Sequence, residues 1–468
     1  MSKEIILILS SSSGAMRVPV REKYRFPPIG LLCLSSLLKI HGYKVEICDL
    51  VFEDLTRTGF VTHLQSLAKA PVIVGICVYT DCVNETLEIA SLSKQAFPKT
   101  KIVLGGPHAT FCYDELLQHE SVDFVVRGEG ESSIIPLIEH LSYPNTFPLE
   151  AIRGIACKTK VNGSYRVDIT GSSPFITRLD ILPFPDYPAW KYSNYYSAMF
   201  SFVSSRGCPG KCIFCSSKAF SGNKYRFHSA EWIFSMLCYY EKLYHFTHFV
   251  FMDDTFLAHK LRAKTFCEYV RKYWPGSAPP AWACKSRVDM IDEAIVRVIS
   301  DTNCASIHLG LESGAQEVLD SIGKGITLPE IFEALKLLRK YGIDAECSFM
   351  IGHPGDTLKT IEKTLLLADV IERLEKGLSF VAISTPFPGT PLWEEAEKLG
   401  IQIKVRDWSK YDLNTPIYET AGVSGNDLRK AIFYFAHRRD RRTNPGLSGS
   451  SQEEIDIIRE NIIHNLRS

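Results

Sequence analysis

The sequence predicts an α/β protein: an N-terminal Rossmann-like domain, a partial (β/α)6 barrel and a small helical C-terminal region. Three observations carry this. Apolar, β-branched runs alternate with helix-period runs over residues 1–145. The alternation lapses across 146–195 and resumes through six more strand–helix repeats over 196–400. In that second stretch, polar clusters recur where the predicted strands end, the place where barrel-type folds keep their chemistry.

In the first stretch IILILS, YKVEICDL, VIVGICVY, TKIVLGG and VDFVVRGEG read as strands. PIGLLCLSSLLKIHG, ending in Gly42, ETLEIASLSKQAF and SSIIPLIEHL read as helices. The opening run could be taken for a secretory signal, but it is β-branched and closes in Ser and Gly, as a first buried strand does. Residues 146–195 read as a linker with a small hairpin, RGIACKTKVNGSYRV, turning at Asn162-Gly163, and a Pro-rich connector, LPFPDYPAW.

The barrel strands are MFSFVSSR, HFVFMDD, AWACKSRVD, ASIHLGLES, AECSFMIG and SFVAISTP, with helical patterns between them. Their ends carry Arg206-Gly207-Cys208, Asp253-Asp254, Arg287 and Asp289, Glu312-Ser313 and Gly352-His353-Pro354. Residues 401–468 form a tail with Trp408, Tyr411 and Tyr418, a helix with a basic end, a Gly/Ser break and a last helix.

Lys+Arg and Asp+Glu both number 53, so the chain has no global positive field and no electrostatic case for nucleic acid. No apolar run reaches the length that a membrane-spanning helix needs. Fourteen cysteines is a high count for a protein of the cytoplasm, the setting expected here, but most sit singly in apolar segments and read as buried thiols. Three of them cluster. SSRGCPGKCIFCS places Cys208, Cys212 and Cys215 in one loop after a predicted strand. Thiolates are soft ligands that select iron–sulfur clusters or zinc. Structural zinc usually takes four ligands in two pairs, whereas three cysteines leave one iron of a [4Fe–4S] cubane open to a substrate. Pro209, Gly210 and Lys211 let the loop wrap such a cluster.

With Phe214 before its last cysteine, this motif resembles the radical S-adenosylmethionine (SAM) superfamily. PPIGLLCLSSLLKIHGYKVEICDL, LGGPHAT and VVRGEGE, together with FMDDTF, CKSRVD, HLGLESG and FMIGHPGDT, resemble the cobalamin-binding radical SAM group, the class B methyltransferases and relatives. The resemblance spans about residues 1–400. It implies a [4Fe–4S] cluster on the three cysteines, SAM on the open iron, and cobalamin in the N-terminal domain. Carried over position by position, it implies SAM contacts from Phe214, Asp253, Asp254, Arg287, Glu312, Ser313 and His353. The bland alternatives are a helix cap at Asp253-Asp254, a salt bridge between Arg287 and Glu312, and a plain turn at Gly352–Gly355.

Cobalamin contacts are implied for Tyr79, Thr80, Asp81, Gly105, Gly106, His108, Gly128, Glu129 and Gly130. The Asp-x-His-x-x-Gly loop of methionine-synthase-type domains is absent, so no histidine is identified for the lower face of cobalt. The implied activity is transfer of a methyl group from methylcobalamin to an unactivated carbon of a small molecule or of a protein side chain, such as a glutamine of methyl-coenzyme M reductase. The alternative is a radical SAM cyclase or oxidoreductase of the same architecture without methyl transfer. The implied partners are the substrate, small molecule or peptide, and an electron donor such as ferredoxin or flavodoxin.

Overall fold

The protein is described from a computed structural model covering residues 4–9, 26–50, 57–67, 69–161, 164–189, 199–374, 378–436 and 452–467. It divides into two units. The first is Met1–Tyr195 with Phe220–Gly222 and Asp407–Asp412, and the second is the remainder.

In the first unit the apolar runs become parallel strands because both faces are covered. β1 (Glu4–Leu9) is buried without alternation from Ile5 to Ile8. It pairs in parallel with β2 (Lys44–Asp49) on one side and β3 (Ile73–Cys77) on the other. β4 (Lys101–Gly105) and β5 (Phe124–Val126) extend the sheet in the order β2-β1-β3-β4-β5. The chain reverses its direction of progress between β1 and β3. In open parallel sheets that reversal leaves a crevice beyond the C-terminal strand ends, where ligands bind. The hairpin expected inside the linker is part of this same sheet. β6 (Ile155–Val161) adds antiparallel to β5, and β7 (Ser164–Ile169) to β6. Its buried half, Ile155 to Cys157, supplies the apolar face that docks it there. The turn Asn162-Gly163 lies outside the described residues.

The second unit is built on a six-stranded, all-parallel sheet. β8 (Phe200–Phe202) is followed by a short antiparallel pair, β9 (Ser205–Arg206) and β10 (Arg226–Phe227). Then come β11 (His248–Phe251), β12 (Ala281–Ser286), β13 (Cys304–Glu312), β14 (Asp344–Ile351) and β15 (Ser379–Ile383). The sheet order is β15-β14-β13-β12-β11-β8. Strict alternation of buried and part-exposed residues in β12 and β14 gives each strand one fully covered face. Phe200, Phe202, Phe249, Phe251, Phe256, Phe266 and Trp282 fill the space behind β8, β11 and β12. The connecting helices start where the sequence offers caps: Ser229 before Ala230–Tyr244, Asp292 before Glu293–Ser300, and a Thr327/Glu330 capping box before Leu328–Lys340.

The tail is not uniformly helical. β16 (Gln402–Ile403) and β17 (Tyr418–Glu419) pair with each other. Helices Gly425–Ala436 and Gln452–Arg467 follow, and residues 407–412 belong to the first unit. The Gly/Ser break lies outside the described residues. Among the described residues, no helix is long and apolar enough to cross a membrane.

The open end of β8 is tied to β11 by a buried polar knot. The Asp253 carboxylate accepts from the backbone N–H and hydroxyl of both Ser204 and Ser205 at 2.5–3.1 Å. Arg262, also buried, lies 3.4 Å from that carboxylate and donates to the Ser204 and Phe256 carbonyls and the Tyr225 hydroxyl. Cutting one side of such a knot strands buried donors and a buried cation. Asp253→Ala is therefore expected to lower stability by about 3–5 kcal/mol, measured as a fall in the denaturant midpoint. A change below about 1 kcal/mol would contradict this account of the knot.

Candidate active site

The cysteine loop leaves β9 through Gly207, whose φ of 89° suits glycine alone. It is pinned in two places by backbone: Ile213 N–H donates to the Ile322 carbonyl at 3.0 Å, and Leu392 N–H to the Ile213 carbonyl at 2.9 Å. Ile213 and Phe214 pack on Ala315, Val318 and Ile322. These anchors come from the β13 connection and from the helix after β15, so two segments distant in sequence fix one loop. The loop lines a cavity of about 480 Å³ shared with Asn223, Gly389 and Glu394.

Each cysteine sulfur has one N–H donor. The Gly210 amide lies 3.4 Å from Cys208, the Ser217 amide 3.4 Å from Cys215, and Arg287 Nη1 3.8 Å from Cys212. Burial pushes the Cys215 thiol up to about 11 and raises Cys208 as well. Bound iron would displace those protons, and the donors would then face thiolate sulfur, the arrangement that tunes cluster potential. The three sulfurs do not gather within 4.8 Å of one another, whereas thiolates on one tetrahedral zinc would sit roughly 3.8 Å apart. The cavity beside the three sulfurs has room for a multi-iron cluster.

The other expected contacts are not among the residues that line this cavity, and they separate into groups. Asp253 is consumed by the knot under β8 and presents no free carboxylate. Asp254 is exposed and accepts from the Ser217 hydroxyl beside Cys215. Arg287 does not pair with Glu312. It grips Asp289 with two bonds, at 2.9 and 3.2 Å, donates to the Lys324 carbonyl at 2.7 Å, and turns Nη1 to the cluster loop. A Cβ at Gly210 would come within 2.9 Å of that guanidinium and push it from this position.

Glu312 sits at a register shift in β13 with φ of 66°, and its partner is Lys324 at 2.8 Å. Both are buried. Lys324 was not singled out from the sequence. The available signal was a lysine between two glycines in an apolar turn, twelve residues after a glutamate that burial obliges to find a cation. Ser313 holds a turn, bonding Thr364 and the Ala315 amide. His353 is fully buried, tilts against Phe214 at 5.3 Å, and neither ring nitrogen has a hydrogen-bond partner. Burial, then the Lys324 charge, lowers its pKa to about 3, so it is neutral near pH 7. Two orphaned ring nitrogens beside an aromatic ring fit a heteroaromatic ligand such as adenine.

In the first unit the expected contacts sit at C-terminal strand ends. Tyr79, Thr80 and Asp81 follow β3, Gly106 and His108 follow β4, and Gly128, Glu129 and Gly130 follow β5. Gly106, with φ of 96°, packs so closely that a Cβ would lie 3.0 Å from Cys77 Sγ. Gly105 has ordinary space around it, while Gly128 has φ of 82° and opens on free space. His108 is buried. Its Nδ1 lies 3.2 Å from the Thr80 hydroxyl and its Nε2 has no partner. Burial lowers its pKa to about 4. Trp408, one of the tail aromatics named from the sequence, meets the His108 ring edge-on at 5.0 Å and donates to Glu115 at 2.8 Å. The open cradle at Gly128 and the orphaned Nε2 fit a large ligand with polar periphery, as cobalamin is.

Comparison with known proteins agrees with both halves. Residues 202–368 match the Radical SAM superfamily and residues 20–137 the B12 binding domain. An uncharacterised methyltransferase of Pyrococcus horikoshii is 31% identical over 434 residues, which is 92% of this chain and 90% of that protein. The anaerobic magnesium-protoporphyrin IX monomethyl ester cyclase of Rubrivivax gelatinosus is 28% identical over 418 residues, 86% and 72% of the two chains. Among solved structures, the radical SAM methyltransferase TsrM of Kitasatospora setae, with cobalamin and a [4Fe–4S] cluster bound, superposes with a TM-score of 0.74 at 17% identity. That match covers 100% of this chain and 99% of TsrM. TsrM with tryptophan substrate and a SAM analogue gives 0.69 at 17% identity, over 87% of this chain and 79% of that one. The chain belongs to the cobalamin-binding radical SAM enzymes of the class B methyltransferase family, whose cofactors are a [4Fe–4S] cluster, SAM and cobalamin.

Proposed function

We propose that this protein methylates an unactivated carbon of a small molecule. The observation that carries the reading is the joint presence, in one chain, of a three-cysteine loop lining a cavity and a sheet whose C-terminal edge has open space at Gly128 and an unpartnered His108 Nε2. When bound, the cluster supplies an electron to SAM and cobalamin carries the methyl group.

The chain's own residues do the positioning. Cys208, Cys212 and Cys215 hold iron, and the amides of Gly210 and Ser217 with Arg287 offset thiolate charge. Asp254 faces the SAM ammonium. Lys324, shared with Glu312, serves the SAM carboxylate, and Glu312 the ribose. Phe214 and His353 flank adenine, with His353 neutral and able to donate from one nitrogen and accept at the other. Asp253 and Ser313 act one step back, shaping strand ends. Tyr79, Thr80, Asp81, Gly105, Gly106, His108, Gly128, Glu129 and Gly130 surround cobalamin. A reducing cytoplasm and a one-electron donor of the ferredoxin or flavodoxin kind suit a chain with no disulfide among its described residues. The cyclase relative favours a second reading, in which the same site performs radical ring closure without methyl transfer.

Anaerobic reconstitution with iron, sulfide and cobalamin is expected to give about four irons and one corrinoid per chain, with iron lost in the Cys208→Ala/Cys212→Ala/Cys215→Ala variant. During turnover, S-adenosylhomocysteine should accumulate beside 5′-deoxyadenosine. 5′-Deoxyadenosine alone would shift the assignment to the cyclase reading, and absence of corrinoid would remove methyl transfer. Separately, His353→Phe keeps the ring against Phe214 but removes both nitrogens. It should weaken SAM binding roughly fivefold, about 1 kcal/mol, at unchanged iron content. Unaltered SAM affinity would take His353 out of the site.

A further inference from the structure

A second group of ligand-type side chains lies in the first unit and includes none of the residues assigned above. Glu46 and Cys48 stand two residues apart on β2, the edge strand of the seven-stranded sheet, and so point to the same face. Helix Arg57–Ser66 covers that face, burying Phe60 and Leu64 in the same core cluster as Cys48 and Leu50. The helix brings His63 over the strand. His63 Nε2 lies 3.5 Å from Cys48 Sγ and 3.1 Å from Glu46 Oε1. Among the described residues, this is the only group with three such donor atoms all within 4.8 Å of one another.

The pattern is not a nucleophile relay. In a Cys–His–carboxylate relay the thiol and the carboxylate take opposite ring nitrogens. Here sulfur and oxygen both converge on Nε2. One ring proton serves two acceptors poorly, whereas one cation at the centre serves all three. The spacing agrees. Bonds of about 2.3 Å to sulfur, 2.05 Å to nitrogen and 2.1 Å to oxygen, in tetrahedral array, place sulfur roughly 3.6 Å and oxygen roughly 3.4 Å from nitrogen.

We propose that Glu46, Cys48 and His63 form a zinc site with water in the fourth position. One soft, one borderline and one hard donor suit zinc, and three protein ligands plus water is a recurring zinc geometry. Binding releases the Cys48 thiol proton to solvent, and the imidazole keeps its remaining proton on Nδ1. The thiol is interior while Glu46 is 45% exposed, so the ion has an apolar floor and a solvent-side entry. Glu46 also lines an open depression of about 260 Å³ with Glu4 and Lys44. The ion would clamp the ten-residue helix to an edge strand, two elements that are weak alone.

The test uses full-length protein carrying its cluster and corrinoid, exposed to ZnCl2 and freed of loose metal by EDTA. About one zinc per chain is expected, retained in the Cys208→Ala/Cys212→Ala/Cys215→Ala variant and lost in Cys48→Ser and His63→Gln. Glu46→Gln changes an exposed side chain and should fold normally, with zinc affinity weakened about tenfold or more. Zinc X-ray absorption, which sees neither iron nor cobalt, should show one sulfur near 2.3 Å and nitrogen or oxygen otherwise. A shell without sulfur or with several sulfurs, zinc retained by Cys48→Ser, iron held there in its place, or no zinc uptake by the parent protein would each overturn the proposal.

Discussion

The Arg287 guanidinium is where the second unit's chemistry is held together. It closes on Asp289 at the end of β12, takes the Lys324 carbonyl from the β13 connection, and reaches Cys212 in the loop that follows β9. Three segments far apart in sequence are thereby fixed to one planar cation. A lysine has the charge but not the fork, and could not face a carboxylate, a carbonyl and a sulfur at once. Gly210 leaves its α-carbon bare on the other side of that contact, so the loop and the arginine constrain each other.

From this anchor the polar interior sorts by whether its needs are already met. Asp253 is saturated, and a saturated carboxylate shapes the strand end while offering nothing to a ligand. Glu312 and Lys324 satisfy each other, but at a backbone position with φ of 66°, a conformation a glutamate adopts only under constraint. His353 and His108 are the histidines, among the described residues, whose buried ring nitrogens lack partners. Buried nitrogens without partners cost free energy unless something else bonds them, and both lie at strand ends where parallel sheets receive ligands.

Much of this was legible before any coordinates. The cysteine spacing, the twofold run of strand–helix alternation and the polar strand ends are all local patterns, and local pattern is what a sequence displays directly. What stayed hidden depends on pairing across distance. Nothing local tells Asp253, buried in a knot, from Asp254, exposed beside Cys215. The hairpin looked like linker because its outer half is polar, yet the buried stretch from Ile155 to Cys157 makes it a sheet extension. Lys324 and the pairing of Trp408 with His108 were missed because each depends on a partner that only the fold brings near.

Residues 407–412 belong to the first unit although the whole parallel sheet of the second precedes them in the chain. On the ribosome, therefore, the N-terminal unit waits. It can form its strands early, but His108 lacks its Trp408 neighbour until synthesis has passed the last barrel strand. The usual order, in which an N-terminal domain finishes before the next begins, does not apply. Completion of the corrinoid-type unit reports that the catalytic barrel has already been made.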